Sequence, residues 1–193
     1  QARQLILQKM QSDTQLADLI HPFDFEEYNV SATVGANLIF GEAIDAKFAV
    51  EHFGENEVIR SILDECELTN RFRDIGIQVA ATLIDMFDGM SADEPIFEQY
   101  SFVDDDSLQE LKRIATLAKR EGNDAISEED TARLISLTCQ LVVERHRLGH
   151  INDDMQSRIL AARRKFREQL AEDGSEAIAF FDPEEFNERL PLR

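Results

Sequence analysis

From Asn56 onward, apolar side chains return every three or four positions, the spacing that gathers them on one face of an α-helix. Val58, Ile59, Ile62 and Leu63 make the first stripe. Phe72, Ile75, Val79, Leu83 and Phe87 make the second, which runs out near Gly89. Pro95 opens a short helical segment with Ile96, Phe97 and Tyr100 as its apolar residues, because proline suits a first helical turn. Ser107-Leu108-Gln109-Glu110 reads as a capping box, starting a helix through Leu108, Leu111, Ile114, Ala115 and Ala118 to Gly122. Ser127 caps the next, with Glu128, Glu129 and Asp130 at the positive end of its dipole. That helix turns Leu134, Leu137, Leu141 and Val142 inward and stops near Gly149. Asn152 caps a last helix through Met155, Ile159, Ala162, Phe166 and Leu170.

Before Asn56 the pattern is less regular. Residues 2–20 carry Leu5, Ile6, Met10, Leu16, Leu19 and Ile20, which fits one helix or two short ones. His21-Pro22 ends that stretch, since the residue before a proline is driven out of the α region. Residues 22–34 read as extended or irregular. The eight glycines and four prolines fall between periodic segments, and strand alternation is absent beyond residue 56. The expected fold is mainly α: an irregular multi-helix bundle over residues 56–178, preceded by a helix and extended segment over 1–55 and followed by a tail over 179–193.

Composition narrows the function. With 43% apolar residues in 193, the chain can close a core and is no disordered acidic tail. Its net charge of −19, from 20 basic and 39 acidic residues, repels phosphate backbones and excludes nucleic acid as a partner. It also disfavours an anionic lipid surface. No run approaches the roughly 20 apolar residues that span a bilayer, so direct membrane insertion is not expected. The strip Arg163-Arg164-Lys165-Phe166-Arg167 is followed by Glu168 and Glu172, and reads as a solvated face with i,i+4 pairing. Cys66 and Cys139 each sit in an apolar helical pattern, as reduced, cytosolic thiols do.

Candidate chemistry is sparse. His146 and His150 are four apart with Asp153 and Asp154 close behind, a spacing zinc can use; they are the candidate metal ligands. Against them, Gly149 interrupts the helix and no His-Glu-x-x-His pattern supplies a base, so helix capping is the ordinary role. Residues 119–130 fail as a calcium loop: Lys119 replaces the first carboxylate, Asp124 the turn glycine and Asp130 the final glutamate. The acidic runs Asp104-Asp105-Asp106 and Asp153-Asp154 precede helices, where the dipole alone favours them. There is no Gly-x-x-x-x-Gly-Lys-Ser/Thr loop. Catalytic and nucleotide-binding residues are therefore not assigned, and no enzymatic activity is expected of this chain itself.

One phrase occurs twice. Phe23-Asp24-Phe25-Glu26-Glu27-Tyr28-Asn29 and Phe181-Asp182-Pro183-Glu184-Glu185-Phe186-Asn187 agree at five positions, and Tyr28 answers to Phe186. Most of the thirteen phenylalanines lie at helical spacing and belong to the core. Phe23, Phe25, Tyr28, Phe181 and Phe186 fall in loop-like surroundings and are the candidate interaction residues.

Beyond the first copy, Thr33-Val34-Gly35-Ala36-Asn37-Leu38-Ile39-Phe40-Gly41 resembles the T-[IV]-x-x-N-[IL]-x-[FY]-G phrase of ATP-binding cassette exporters. In that family the phrase follows the Q-loop of the nucleotide-binding domain and leads into its helical subdomain. Asn29-Val30-Ser31-Ala32 looks like the family's lead-in, and residues 134–148 and 159–166 are similar to a long helical insertion in some transporter-related proteins. The Walker A lysine loop, the Walker B strand and the Leu-Ser-Gly-Gly-Gln signature are missing, so no nucleotide-contacting residue carries over. The resemblance implies a non-catalytic helical domain belonging to a larger ATPase, with ATP and magnesium bound by the parent. It implies a cytoplasmic location at the inner face of the cell membrane. The implied partners are the parent's nucleotide-binding domain and the transporter's membrane domain. Two other readings stand beside it: a free-standing helical interaction or adaptor domain, and a small metal-dependent helical enzyme built on His146 and His150.

Overall fold

Thr33 begins the first described helix, its hydroxyl oxygen accepting from the Ala36 amide at 3.0 Å. The computed structural model describes residues 24–87, 103–146, 149–172 and 177–181. The expected helix over 2–20, the segment opened by Pro95, the Gly89 terminus, and Phe23 and Phe186 of the repeat lie outside them. Helix α1 (Val34–Ile39) runs into strand β1 (Gly41–Ala43) and two 3-10 turns, Ala46–Phe48 and Val50–His52. Then follow α2 (Glu57–Glu65), α3 (Thr69–Phe87), α4 (Asp105–Glu121), α5 (Glu128–Cys139), the short α6 (Val143–His146), α7 (Asp153–Glu172) and β2 (Ile178–Phe180). The fold is mainly helical, as the periodicity indicates.

Among the described residues the periodic stripes become buried faces. Ile59, Ile62 and Leu63 of α2 are fully buried, as are Phe72, Val79 and Leu83 of α3. Helix α3 packs on α4 and α5, while α7 lies across α1 and α2. One continuous core joins these layers, including Val34, Leu38 and Phe53 from the irregular N-terminal part. Gly76 lets α3 approach α5 closely: a Cβ there would stand 2.6 Å from the Leu134 carbonyl oxygen.

Several helix starts follow from capping chemistry. Asn56 accepts from the Val58 and Ile59 amides, Ser127 from Asp130, and Asn152 from Met155. The expectation at Ser107 is corrected. Asp104 is the cap, its carboxylate accepting from the Ser107 amide at 2.8 Å, and α4 starts at Asp105. An ionised carboxylate is a stronger acceptor for orphan amides than a hydroxyl, so the helix begins a turn earlier. The helix after Ser127 also ends sooner than its apolar spacing suggests. It closes at Cys139, and Leu141 and Val142 leave it to meet the N-terminal segment. The Leu141 carbonyl accepts from the Val34 amide at 2.8 Å, and Val142 bridges Thr33. Leu141 is buried as expected, through this extended pairing rather than a helical face.

The strands escaped sequence reading. β1 and β2 pair antiparallel with Gly41 opposite Phe180, Glu42 opposite Ala179 and Ala43 opposite Ile178. Three residues are too few to show an alternation.

Helix α2 ends in a Schellman motif. The Leu68 amide bonds to Leu63 O at 2.7 Å and the Glu67 amide to Asp64 O at 3.0 Å, with both leucines buried. Glu67 carries the left-handed backbone at φ 57°, where a side chain is strained. Glu67→Gly is therefore expected to raise the unfolding free energy by about 0.5–1 kcal/mol, read from the urea midpoint.

Asp130 ties α4 to α5. Its carboxylate accepts from Arg113 at 2.5 and 3.1 Å and from Arg133 at 3.2 Å, and it is nearly fully buried. Burial alone would raise its pKa, but the hydrogen bonds with Arg113 and Ser127 outweigh it and hold the carboxyl below the ordinary value. A lowered folded pKa contributes stability above the unfolded value of about 4, lost as pH falls through the folded one. Asp130→Asn is expected to cost about 2 kcal/mol at neutral pH. In paired thermal melts from pH 7 downward, the gap between variant and parent shrinks once the pH drops below about 4.

Candidate functional site

Helix α7 carries a buried cation toward the start of the described chain. Arg163 follows Ala162 and lies one turn from Ile159 and Phe166, so it shares their inward face; it is 1% exposed. Its Nε donates to the Asn37 carbonyl at 2.6 Å and its Nη2 to Asn37 Oδ1 at 3.0 Å. Its Nη1 donates to the carbonyls of Asp24, Phe25 and Glu27 at 3.2, 2.6 and 3.1 Å. The guanidinium carbon lies 4.8 Å from the Phe40 ring centre and 5.8 Å from that of Phe25. Burial pushes its pKa down to about 10, and it stays charged at neutral pH.

Asn37 completes the arrangement. Its Nδ2 donates to the Asn29 and Thr33 carbonyls at 2.8 and 3.0 Å, while Oδ1 accepts from the Asn29 amide at 2.8 Å as well as from Arg163. All four hydrogen-bonding positions of the buried amide are used. The segment they hold is a tight turn. Asp24 Oδ1 accepts from the Glu26 amide at 2.8 Å, and the Glu27 amide bonds to Asp24 O. Asn29 Oδ1 accepts from the Ser31 amide at 2.9 Å, and Ser31 donates to Glu144 of α6.

Only part of the basic strip is the solvated face its composition suggests, Arg164 being exposed while Arg163 is not. Arg163 is buried, Arg164 pairs with Glu26, and Lys165 pairs with Glu65 of α2. Arg167 lies 5.0 Å from the Phe25 ring centre and 5.7 Å from that of Phe180. The long stems and forked heads of arginine let one helix reach carbonyls, carboxylates and rings on separate elements, which a run of i,i+4 pairs would not do.

Phe40 is where the two copies of the repeat meet. The Phe25 and Phe181 rings each present an edge-on contact to it, with centres 5.3 and 5.6 Å away. The Phe181 amide also bonds to the Phe40 carbonyl at 3.1 Å. Phe40 has φ 45° and ψ 54°, the left-handed region that a bulky side chain adopts at a cost of about 1–2 kcal/mol. Tyr28 packs against the core, its hydroxyl buried without a hydrogen-bond partner among the described residues, and burial raises its pKa.

The histidines follow the C-terminal end of α5, on the segment whose Glu144 meets Ser31. His146 is buried and closes α6, and its Nδ1 accepts from the Val142 amide at 2.8 Å. His150 lies beyond Gly149, whose φ is 70°, and burial lowers its pKa. Both line a hollow of about 190 Å³ with Leu141, Val142, Val143 and Ile151. Asp154 is engaged by Arg158 at 2.9 Å. Among the described residues no group of three or more His, Cys, Asp or Glu side chains is arranged to hold a metal ion. Both cysteines are free; Cys139 is buried and its thiol is pushed up by burial, while Cys66 is half-buried at the end of α2. No helix among the described residues is long and apolar enough to cross a membrane.

No protein-family model, curated protein or solved structure matches the chain.

Proposed function

We propose that this chain is a non-catalytic helical domain of an ATP-binding cassette transporter-related protein, docking on or regulating the parent ATPase. The observation that carries the reading is the physical work done by each fixed letter of the 33–41 phrase. Thr33 caps α1, Asn37 joins Asn29 to Arg163, and Leu38 is fully buried. Phe40 takes the left-handed turn, and a Cβ on Gly41 would stand 2.7 Å from the Ala179 carbonyl oxygen. A phrase in which capping, polar bridging and close approach each need that residue type is a more specific resemblance than a string of compatible letters.

In this reading ATP and magnesium belong to the parent, at the cytoplasmic face of the membrane. The chain supplies a surface to the nucleotide-binding and membrane domains. Its −19 charge favours a basic partner face and steers the encounter. The encoding reading frame tests the proposal. A Gly-x-x-x-x-Gly-Lys-Ser/Thr loop upstream of Gln1 and a Leu-Ser-Gly-Gly-Gln signature downstream of Arg193 are expected. A frame that holds neither leaves an adaptor domain as the reading.

A further inference from the structure

We infer that residues 24–32 form a strap fastened by Arg163, and that its release is coupled through Phe40 to release of β2. The strap is held mostly by side chains from elsewhere. Arg163 takes three of its carbonyls, Asn37 takes the Asn29 amide and carbonyl, Arg164 takes Glu26, and Arg167 covers the Phe25 ring. Its described backbone bonds are local turns, apart from the Val30 carbonyl, which accepts from the Glu144 amide at 3.1 Å. Tyr28 also packs on the core, so lifting the strap costs that contact and the Arg163 bonds, while the contacts of α3 with α4 and α5 do not involve it.

The strand at the other end is held by β1 and by the core, where Ile178 is buried and Phe180 meets the Phe166 ring edge-on. β2 has three residues paired to β1, and Phe181 adds a backbone bond and a ring contact to Phe40. Phe40 thus serves both segments while sitting in a backbone conformation that only its surroundings enforce. When the Phe25 ring leaves, part of that enforcement goes. As Phe40 relaxes toward ordinary φ, its carbonyl turns away from the Phe181 amide and β1 loses register with β2. The reverse path starts from Phe181 and ends at the strap, and thermodynamic linkage requires the two effects to be equal. A partner that captures either segment would therefore loosen the other. The inference concerns contacts within the chain and does not rest on the proposed parent.

Hydrogen exchange on the whole chain tests it, with Phe181→Ala as the probe, a substitution at a partly exposed ring. Exchange at the Asn29 and Ser31 amides is expected to speed up at least fivefold, the lower end of ordinary coupling. Amides of α3 and α5 are expected to keep their protection. Phe25→Ala should likewise speed exchange at the Phe181 amide. Phe40→Gly is the control that separates coupling from general loosening: glycine adopts the left-handed turn without strain and has no ring, so Phe181→Ala added to it should leave the strap unchanged. Faster exchange confined to residues 40–44 and 177–181 in Phe181→Ala, with the strap at its original rate, would overturn the inference. So would a strap that still speeds up at least fivefold on Phe181→Ala when Phe40 is glycine.

Discussion

Arg163→Met is expected to lower the unfolding free energy by about 3 kcal/mol, measured by urea denaturation at neutral pH. Methionine keeps much of the apolar stem and removes the fork. Four carbonyls, of Asp24, Phe25, Glu27 and Asn37, then lose a donor together with Asn37 Oδ1. A buried acceptor left without a partner costs about 1–3 kcal/mol, but those at the rim of the strap regain water, which keeps the total toward the lower end of the sum. Desolvating the guanidinium opposes this loss, as the lowered pKa of Arg163 indicates. Replacing a whole buried ion pair with apolar groups is often neutral for that reason. Here the acceptors are main-chain groups that no substitution at 163 removes. Arg163→Lys should recover part of the stability, since an ammonium keeps the charge but cannot span both Asn37 and the turn. A methionine variant within about 0.5 kcal/mol of the unsubstituted chain, roughly the error of the measurement, would mean the desolvation cost cancels the bonds.

Gly54→Ala should be at least as damaging, by about 3 kcal/mol or more. An added Cβ would lie 1.8 Å from the Ala132 carbonyl oxygen, 2.5 Å from its carbon and 2.7 Å from its Cα. All three are backbone atoms of α5, so no rotamer change makes room. The chain after the second 3-10 turn must move instead, pulling the Gly54 amide from Ser136 Oγ, a buried bond of 2.9 Å. Arg60, which reaches the Gly54 carbonyl at 3.4 Å, shifts with it. Gly122→Ala is the matched control. Its Cβ meets nothing within 4 Å, so its cost is that of the backbone alone, φ 92° and ψ 164°, a region essentially reserved to glycine, and about 1–3 kcal/mol is expected. Gly54 carries no positive φ, so its loss reports the contact with α5, and a Gly54→Ala variant within about 1 kcal/mol of the unsubstituted chain would mean that this contact yields at little cost.

The helices were legible because their apolar spacing is unbroken and their caps are the ordinary ones, as at Asn56, Ser127 and Asn152. Ser107 misled because Asp104 competes for the same orphan amides, and a capping pattern shows compatibility without showing which acceptor prevails. The end of α5 was obscured by the continuing apolar run: Leu141 stays buried while the backbone changes from helix to bridge. The β1–β2 pairing joins residues far apart in sequence through three-residue strands, which leave no local trace.

Arg163 is the instructive case. Its position, four after Ile159 and three before Phe166, lies on the same stripe as the core residues. Residue type suggested solvent, and spacing pointed inward. Spacing prevails because the turn at residues 24–27 and Asn37 present carbonyls where a guanidinium can reach them. Those carbonyls belong to a loop whose path no periodicity describes. The convergence of Phe25 and Phe181 was hidden for a related reason, since the repeat marks both residues but gives no indication that Phe40 lies between them.

Steady-state MgATP hydrolysis, by this chain alone and by the parent carrying Arg163→Met, tests the functional account most directly. The account expects no saturable turnover from the chain, and a parent whose turnover shifts when the Arg163 fastening is removed. Saturable hydrolysis that follows the isolated chain through purification would contradict it, as would a parent whose turnover is indifferent to the loss of Arg163.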